Sequence, residues 1–512
     1  MPTNTTEIKG DDLKLEEEIW GFRLYEQKAQ EALSEFLYVF SSNRFNLQEP
    51  LRTPEFSGPS HLVLRMILFC NPSLETASDW DNWEKSFVKY AQNSYDQFPA
   101  NWTSASLKKR FDSFSDFQRA VSLIRASSEQ NSSNRKWPFR FLFPWGFNQI
   151  YPDVKIRKDS DDALTCSRNR FGHSGEVAWL LASLSDGRHK LKNQLEARFG
   201  EATHPMAMLC EKNEEGFENQ LGVAFKGGAS YLPQYCASNG TIKRRADMLC
   251  GDLTALLDLR LRTEDLIDSM SRILGMHLIC YQLECAGICA LDSRLKAAEK
   301  PFFLCEAQHR PPTVVRRESK KVFQQNCELC HQVLLEVFKT RFAIVKSASD
   351  PDERCQLFEQ HFGSKAANAV FNALRQQNLT NLENDLADAL EKKYRKHQGI
   401  FHSQMTQSVG LTSDLHTNGY RYFPCDEFLL AVVLATVRAE HMPFDEFLDH
   451  LYEKYGLVFN SECAEKAHRA QTFRNDLSAN SAHLLKQLRS LALLKHLSDS
   501  CDYVINPYYQ AH

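Results

Sequence analysis

The sequence predicts a mainly α protein with minor β (α+β), arranged in several domains. Three observations predict this. At 512 residues the chain exceeds what one hydrophobic core holds. Apolar residues recur at three- and four-residue spacing along most of it. Short apolar runs flanked by turn residues leave room for only a few strands. A hydrophobic content of 43% with 25% charged residues is that of a folded protein rather than a disordered one.

Taken in order, residues 1–105 read as an acidic helical domain. The first sixty residues hold eleven Asp or Glu against six Lys or Arg. Ile19 to Phe40 reads as one long amphipathic helix, with Trp20, Leu24, Leu33, Phe36, Leu37 and Phe40 on its apolar side. Residues 106–270 form a basic, aromatic segment and a helical domain. Residues 101–170 carry thirteen Lys or Arg against seven Asp or Glu. After the polar stretch Ala126 to Arg135, the run Lys136 to Pro152 has three prolines and seven aromatics in seventeen residues. Proline removes a donor and restricts the residue before it, so this run reads as extended. Helices follow at Glu176–Leu184, Lys190–Phe199, Met248–Leu261 and Glu264–Leu274.

Residues 271–400 read as a small strand pair, His277–Leu283 and Phe302–Ala307, followed by long helices from about Glu318 onward. The polar stretch His402–Tyr420 separates these from a module at 421–512. There, Pro424 and Pro443 open helices. Phe428, Leu429, Val432, Val433 and Thr436 make one buried stripe, and Phe444, Phe447, Leu448, Leu451 and Tyr455 another. Gly456 caps the second helix. A long helix with Leu484, Leu485, Leu488, Leu491 and Leu494 inward then leads to one apolar strand. That order resembles a winged helix, whose last helix and β-wing approach nucleic acid.

Net charge is −4, so any binding to nucleic acid has to come from local patches. The polar, acidic N-terminus lacks a secretory apolar run, and the fifteen cysteines are odd in number and irregularly spaced. A cytoplasmic protein with reduced thiols is expected. The apolar run Phe428–Val437 is half of a bilayer crossing, so no membrane association is expected. No GxxxxGK[ST], HExxH or GxSxG motif occurs, which argues against a motor ATPase and several hydrolase classes. No cofactor is expected.

Three basic patches are candidates for phosphate contact. On the last long helix, His483, Lys486, Gln487 and Ser490 form a polar, mildly basic outer stripe, with Arg489 and Lys495 at its margins. In HRPPTVVRRESKK, the residues Arg310, Arg316, Arg317, Lys320 and Lys321 lead into a helix start, where backbone N–H groups add to the attraction for anions. In SRNRFGHSGE, Arg168 and Arg170 precede a glycine-containing turn that allows close backbone approach. Each patch also reads as an ordinary solvated face, the last as a tight loop capped by Ser174.

Two weaker constellations carry other chemistry. Cys305, His309, Cys327 and Cys330 are the residue types of a zinc site. Against that, Phe323, Cys327, Cys330, Leu334 and Val337 recur as the buried stripe of one helix, where cysteine is a small hydrophobe. Asp292, Glu306 and Gln308, placed at the ends of the two expected strands, have the pattern of a restriction-type nuclease holding a divalent metal. The pair Glu440–His441 beside His450 reads more simply as a helix-end feature.

IWGFRLYEQ (Ile19 to Gln27), RNRFGHSGE, the RRES turn and the closing apolar strand with Asn-Pro together resemble accessory, non-motor proteins of multigene bacterial antiviral defence systems, such as those of the Druantia type. The resemblance implies a non-catalytic subunit that binds DNA or RNA backbone, or scaffolds a complex, beside a separate helicase or ATPase. It transfers no catalytic residue. The alternatives are the metal-dependent nuclease and a pure protein-interaction scaffold presenting Trp137, Phe139, Phe141, Phe143 and Trp145.

Overall fold

The structure is a computed structural model. It describes residues 13–509 except 22–26, 47–50, 54–66, 68–72, 95–97, 99, 127, 130–140, 143–145, 148–153, 159–163, 169–172, 201–204, 206–207, 209–223, 226–229, 293–299, 308–312, 376–378, 397, 414–418, 468–473 and 499–500. The described residues are mostly helical, with a few short strands, as expected. No helix among them is long and apolar enough to cross a membrane.

Two short helices open the chain, α1 (Leu15–Trp20) and α2 (Ala29–Asn43). A single helix over Ile19–Phe40 was expected, and Gly21 explains the break. Its φ is +86°, and a Cβ there would sit 2.2 Å from the Tyr231 carbonyl oxygen. The backbone turns because it packs directly on residues 231–233, a conformation glycine tolerates.

The next helices are α3 (Trp80–Ser94), α4 (Ala105–Lys108) and α5 (Phe114–Ala126). They close around Trp83, whose ring lies 5.0–6.1 Å from those of Phe87, Trp102, Phe114 and Phe117. This aromatic cluster is separate from the main core, and the expected boundary at 105 runs through it. Strands β1 (Ser128–Glu129) and β2 (Phe141–Leu142) pair antiparallel, as do β3 (Val154–Lys158) and β4 (Leu164–Arg168); β5 (Ala224–Phe225) joins β4 in parallel. Most of the aromatic run 136–152, including Trp137, Phe139, Phe143 and Trp145, lies outside the described residues.

The main core is built on helices α6 (Ser174–Ser183), α7 (Arg188–Phe199), α8 (Gly240–Leu257) and α9 (Thr263–Cys289). Asn239 caps α8, its side chain accepting from the Thr241 and Ile242 amides. Helix α9 is the axis of the molecule, 27 residues long, or about 40 Å. It packs against α1, α2, α8 and later helices on several sides. Residues 277–283, expected as a strand, are its buried middle. An apolar run reads alike for a buried strand and for a helix buried all round, and tertiary surroundings decided for helix.

Strand β6 (Phe303–Leu304) follows, then α10 (Val314–Ser347), capped by Thr313. Helix α11 (Pro351–Phe362) packs on it and α12 (Ser364–Leu374) on α11, while α13 (Thr380–Lys396) and α14 (Gln398–Val409) pack on α10 again. The expected separator at 402–420 is instead largely ordered: it holds the end of α14 and β7 (Thr412–Ser413), which pairs antiparallel with β8 (Arg421–Tyr422).

The C-terminal part comprises α15 (Asp426–Thr436), β9 (His441–Pro443), α16 (Phe444–Tyr455), β10 (Leu457–Val458), α17 (Ser461–Lys466), α18 (Arg474–Ser490), β11 (Leu494–Ser498) and β12 (Cys501–Ile505). The stripes expected on α15 and α16 are buried, and Gly456 caps α16 in the left-handed conformation, φ +75°. The long helix stops at Ser490, so Leu491 and Leu494 belong to the following turn and strand. One strand was expected there; a hairpin stands in its place, and β12 also pairs with β9 to give an antiparallel sheet ordered β11-β12-β9.

The partner of β6 is not at 277–283 but at β10, in parallel register Phe303↔Leu457 and Leu304↔Val458. One continuous hydrophobic core runs from Leu13 to Val504 and crosses the boundaries expected near 270, 400 and 421.

Candidate nucleic-acid interface

Helix α18 is amphipathic for a local reason: Leu477, Asn480, Leu484 and Leu488 recur on one side and are buried. Asn480 ties this side to the rest of the chain. Its amide donates to the carbonyls of Cys305 and Phe459, at 2.9 and 3.0 Å, and its oxygen accepts from the Ala307 amide at 2.8 Å. The opposite side exposes Asn475, Ser478, Ala479, Ala482, Lys486, Arg489 and Ser490, with Arg474 and the half-buried Asp476 at its edges. Small side chains beside cations leave a phosphate backbone able to approach closely.

Two of these cations are engaged within the chain. Arg474 pairs with Glu465 at 2.6 Å, and Arg489 meets Asp502 of β12 at 3.3 Å. His496 of β11 shares Asp502 at 3.1 Å. Lys486 and Lys495 are exposed. Gln487 donates to Asp426 at 2.7 Å and so is turned toward α15 rather than outward.

The second basic patch lies on the first turns of α10, which pack beside α18. Arg317 and Lys321 flank Glu318 at 3.3 and 2.9 Å. The hydrogen bond from Lys321, helped by Arg317, holds Glu318 below the usual carboxylate range. Lys320 is half-buried. Arg316 is not a surface group: its Nε donates to both Glu306 oxygens, at 2.8 and 3.0 Å. Arg310 lies outside the described residues.

The third patch has a different explanation from the one expected. Arg170 lies outside the described residues, and Arg168 is described only as the last residue of β4. The first turn of α6 approaches another helix. A Cβ on Gly175 would sit 2.2 Å from the Ala32 carbonyl oxygen of α2. Helix α6 is capped from α2 and the residues before it: Glu35 accepts from the His173 and Gly175 amides, and Gln27 from the Ser174 amide. Ser174 does not cap it. Glu35, His173 and Glu176 also form the one trio of metal-capable groups gathered among the described residues.

The zinc reading loses its geometry. Cys305, Cys327 and Cys330 do not gather as ligands, and His309 lies outside the described residues. Cys330 is on the buried face of α10 with Phe323, Leu334 and Val337. Burial pushes the Cys327 thiol up to about 12 and raises Cys305 and Cys330 as well, which disfavours the thiolate a metal needs.

The nuclease reading is likewise corrected. The strand meant to precede Asp292 is α9, so no pair of adjacent strands presents the acids. Glu306 serves the fold instead. It accepts from Arg316, from Thr313 at 3.3 Å and from the fully buried Arg421 at 2.5 Å. Asp292 takes the Glu336 carboxylate on its backbone amide at 2.8 Å. Gln308 lies outside the described residues.

Sequence reasoning missed a buried polar network between α8, α9 and α16. Arg245 pairs with Glu284 at 2.6 Å and donates to the Lys454 carbonyl at 2.7 Å. Asp252 is its other hub. It accepts from the Tyr455 hydroxyl at 2.6 Å, from Arg438 at 3.0 Å and from Lys454. His277 bridges the two, its Nε2 facing Asp252 at 3.1 Å and its Nδ1 facing Arg245 at 3.2 Å. A carboxylate needs a donor and a guanidinium needs an acceptor, so these partners assign the neutral Nε2–H tautomer. Burial pushes His277 down to about 4 despite the pull of Asp252. Burial alone would raise Asp252, but Lys454 and His277 outweigh it and hold the carboxyl well below the usual range.

No family model, curated protein or solved structure matches the chain.

Proposed function

We propose that the protein is a non-catalytic, nucleic-acid-binding subunit that grips phosphate backbone through a winged helix at residues 426–505. On this reading α15, β9, α16, α18 and the β11–β12 hairpin are its helix, strand, helix, recognition helix and wing. The observation that carries it is the exposed side of α18, which bears Lys486, Arg489 and small residues with its one carboxylate, Asp476, half-buried at the edge, set beside a hairpin carrying Lys495. The sheet order β11-β12-β9 supports the same arrangement. Base reading is not part of it, because Gln487 is turned to Asp426. The place of such a subunit beside a separate helicase or ATPase in a bacterial antiviral defence system rests on the motif resemblance alone.

The test is a salt titration of binding to duplex DNA, single-stranded DNA and RNA by fluorescence anisotropy. Three phosphate contacts, from Lys486, Arg489 and Lys495, give a log–log slope of about −2.7 on duplex DNA, about a 40-fold loss between 50 and 200 mM salt. Lys486→Ala reduces the slope by about one. Absence of binding at 50 mM salt refutes the proposal.

A further inference from the structure

A cleft of about 440 Å³ has no residue of α18 in its lining. Its walls come from α7, α8, the segment after α8, the end of α15 and residues 506–509. The volume suits a small ligand. Its charge is one-sided. Lys190, Arg260 and Arg438 line it, against one carboxylate, Asp258. Asp258 is already engaged by Lys190 at 3.5 Å and by Gln194.

Arg438 is held in place from below. Its Nη2 donates to the buried Asp252 at 3.0 Å, while half of the side chain remains exposed. Gly251 makes room for it, since a Cβ there would lie 3.0 Å from that nitrogen. Charge-assisted donors fixed in this way suit an oxyanion such as phosphate.

The cleft also carries two aromatic rings, Tyr508 and Tyr509, which are 41% and 37% exposed. Large exposed aromatics at the end of a chain are usually loose, but these are positioned. Asn506 is buried, donates to the Val437 carbonyl at 3.0 Å and accepts from the Tyr508 amide at 3.1 Å. The Tyr509 amide returns to the Asn506 carbonyl at 3.1 Å. The Asn-Pro-Tyr-Tyr turn therefore holds two ring faces beside three cations, the combination that stacks a base and binds its phosphates.

We infer that this cleft binds a nucleotide, with its phosphates on Lys190, Arg260 and Arg438 and its base against Tyr508 or Tyr509. The inference is independent of the α18 surface. The nucleotide can be a free mononucleotide or the terminal unit of a strand, which share this chemistry.

Isothermal titration calorimetry of the full chain with ATP, AMP, tripolyphosphate, adenosine and a short single-stranded oligonucleotide tests it. ATP is expected to bind more tightly than either tripolyphosphate or adenosine. Lys190→Glu and Arg260→Glu, both at exposed positions, are expected to weaken it at least ~10-fold, with unfolding temperatures unchanged. Tyr508→Ala with Tyr509→Ala is expected to reduce ATP to the affinity of tripolyphosphate. Oligonucleotide binding that is lost in the same variants, without ATP binding, assigns the strand terminus. Lys486→Ala leaves all of these unchanged, which separates this site from α18. Failure of ATP, AMP and oligonucleotide alike to bind at millimolar concentration overturns the inference, as does wild-type affinity in both charge reversals.

Discussion

Acidification from pH 7 to pH 4 perturbs the buried His277 in a calculable way, separable by a variant from another buried imidazole, His402, which burial also pushes down. His277 is fully buried, neutral and fixed in one tautomer between Asp252 and Arg245. A proton added at Nδ1 would place N–H against the Arg245 guanidinium. With a folded value of about 4 and an unfolded value of about 6.5, the unfolded chain binds the extra proton first. The contribution of His277 to stability is therefore complete above about pH 6.5 and is lost as pH falls toward 4. Linkage puts the loss at about 2 kcal/mol at pH 5 and about 3 kcal/mol at pH 4. The control is His277→Gln, a neutral amide that offers one donor and one acceptor but does not titrate in this range. Urea unfolding of both proteins, followed by tryptophan fluorescence at pH 7, 6, 5 and 4, measures the difference. Stability of the wild type should fall more steeply than that of the variant below pH 6.5. Parallel curves would refute the neutral, trapped imidazole.

Three further outcomes are expected. Asp502→Asn releases Arg489 and His496 from their shared carboxylate and should raise affinity for duplex DNA several-fold at low salt, measured by anisotropy. Glu306→Gln leaves Arg421 buried without its counter-charge and should cost about 3–5 kcal/mol in urea unfolding, whereas Asp292→Ala should cost far less. Gly456→Ala puts a Cβ 1.9 Å from the Pro301 carbonyl oxygen at a φ of +75°, and thermal unfolding should show a loss above about 1 kcal/mol.

Local features were legible where a residue acts on its neighbours. The Gly456 cap, the stripes of α15 and α16 and the cysteine-bearing face of α10 follow from spacing alone. Errors arose where distant residues decided the outcome. Gly21 breaks a helix because of residues 231–233, and 277–283 is helical because neighbours bury it on all sides. The partner of β6 lies some 150 residues away, beyond the reach of any local pattern. The central polar network did leave a trace: Arg245 and Asp252 are seven apart, as are His277 and Glu284. Two polar pairs at that spacing inside apolar helices mark facing positions. Read singly, none of the four carries that signal. Arg316 was read wrongly in the opposite direction, because charge in a basic run does not reveal that the buried Glu306 binds it.

The central position of α9 also constrains the order in which the molecule can be assembled. Trp20 donates to the Gln282 carbonyl, the Ala29 amide to Ser408, and Lys454 to Asp252. The earliest helices thus find their partners only after hundreds of further residues have been synthesised, and the flank of α9 facing α15 and α16 stays open until those helices leave the ribosome. A nascent chain stalled before residue 426 would present that apolar flank, and the edge of β6, to the surrounding solvent. Such a chain depends on holding chaperones in a way that a string of separately folding domains does not.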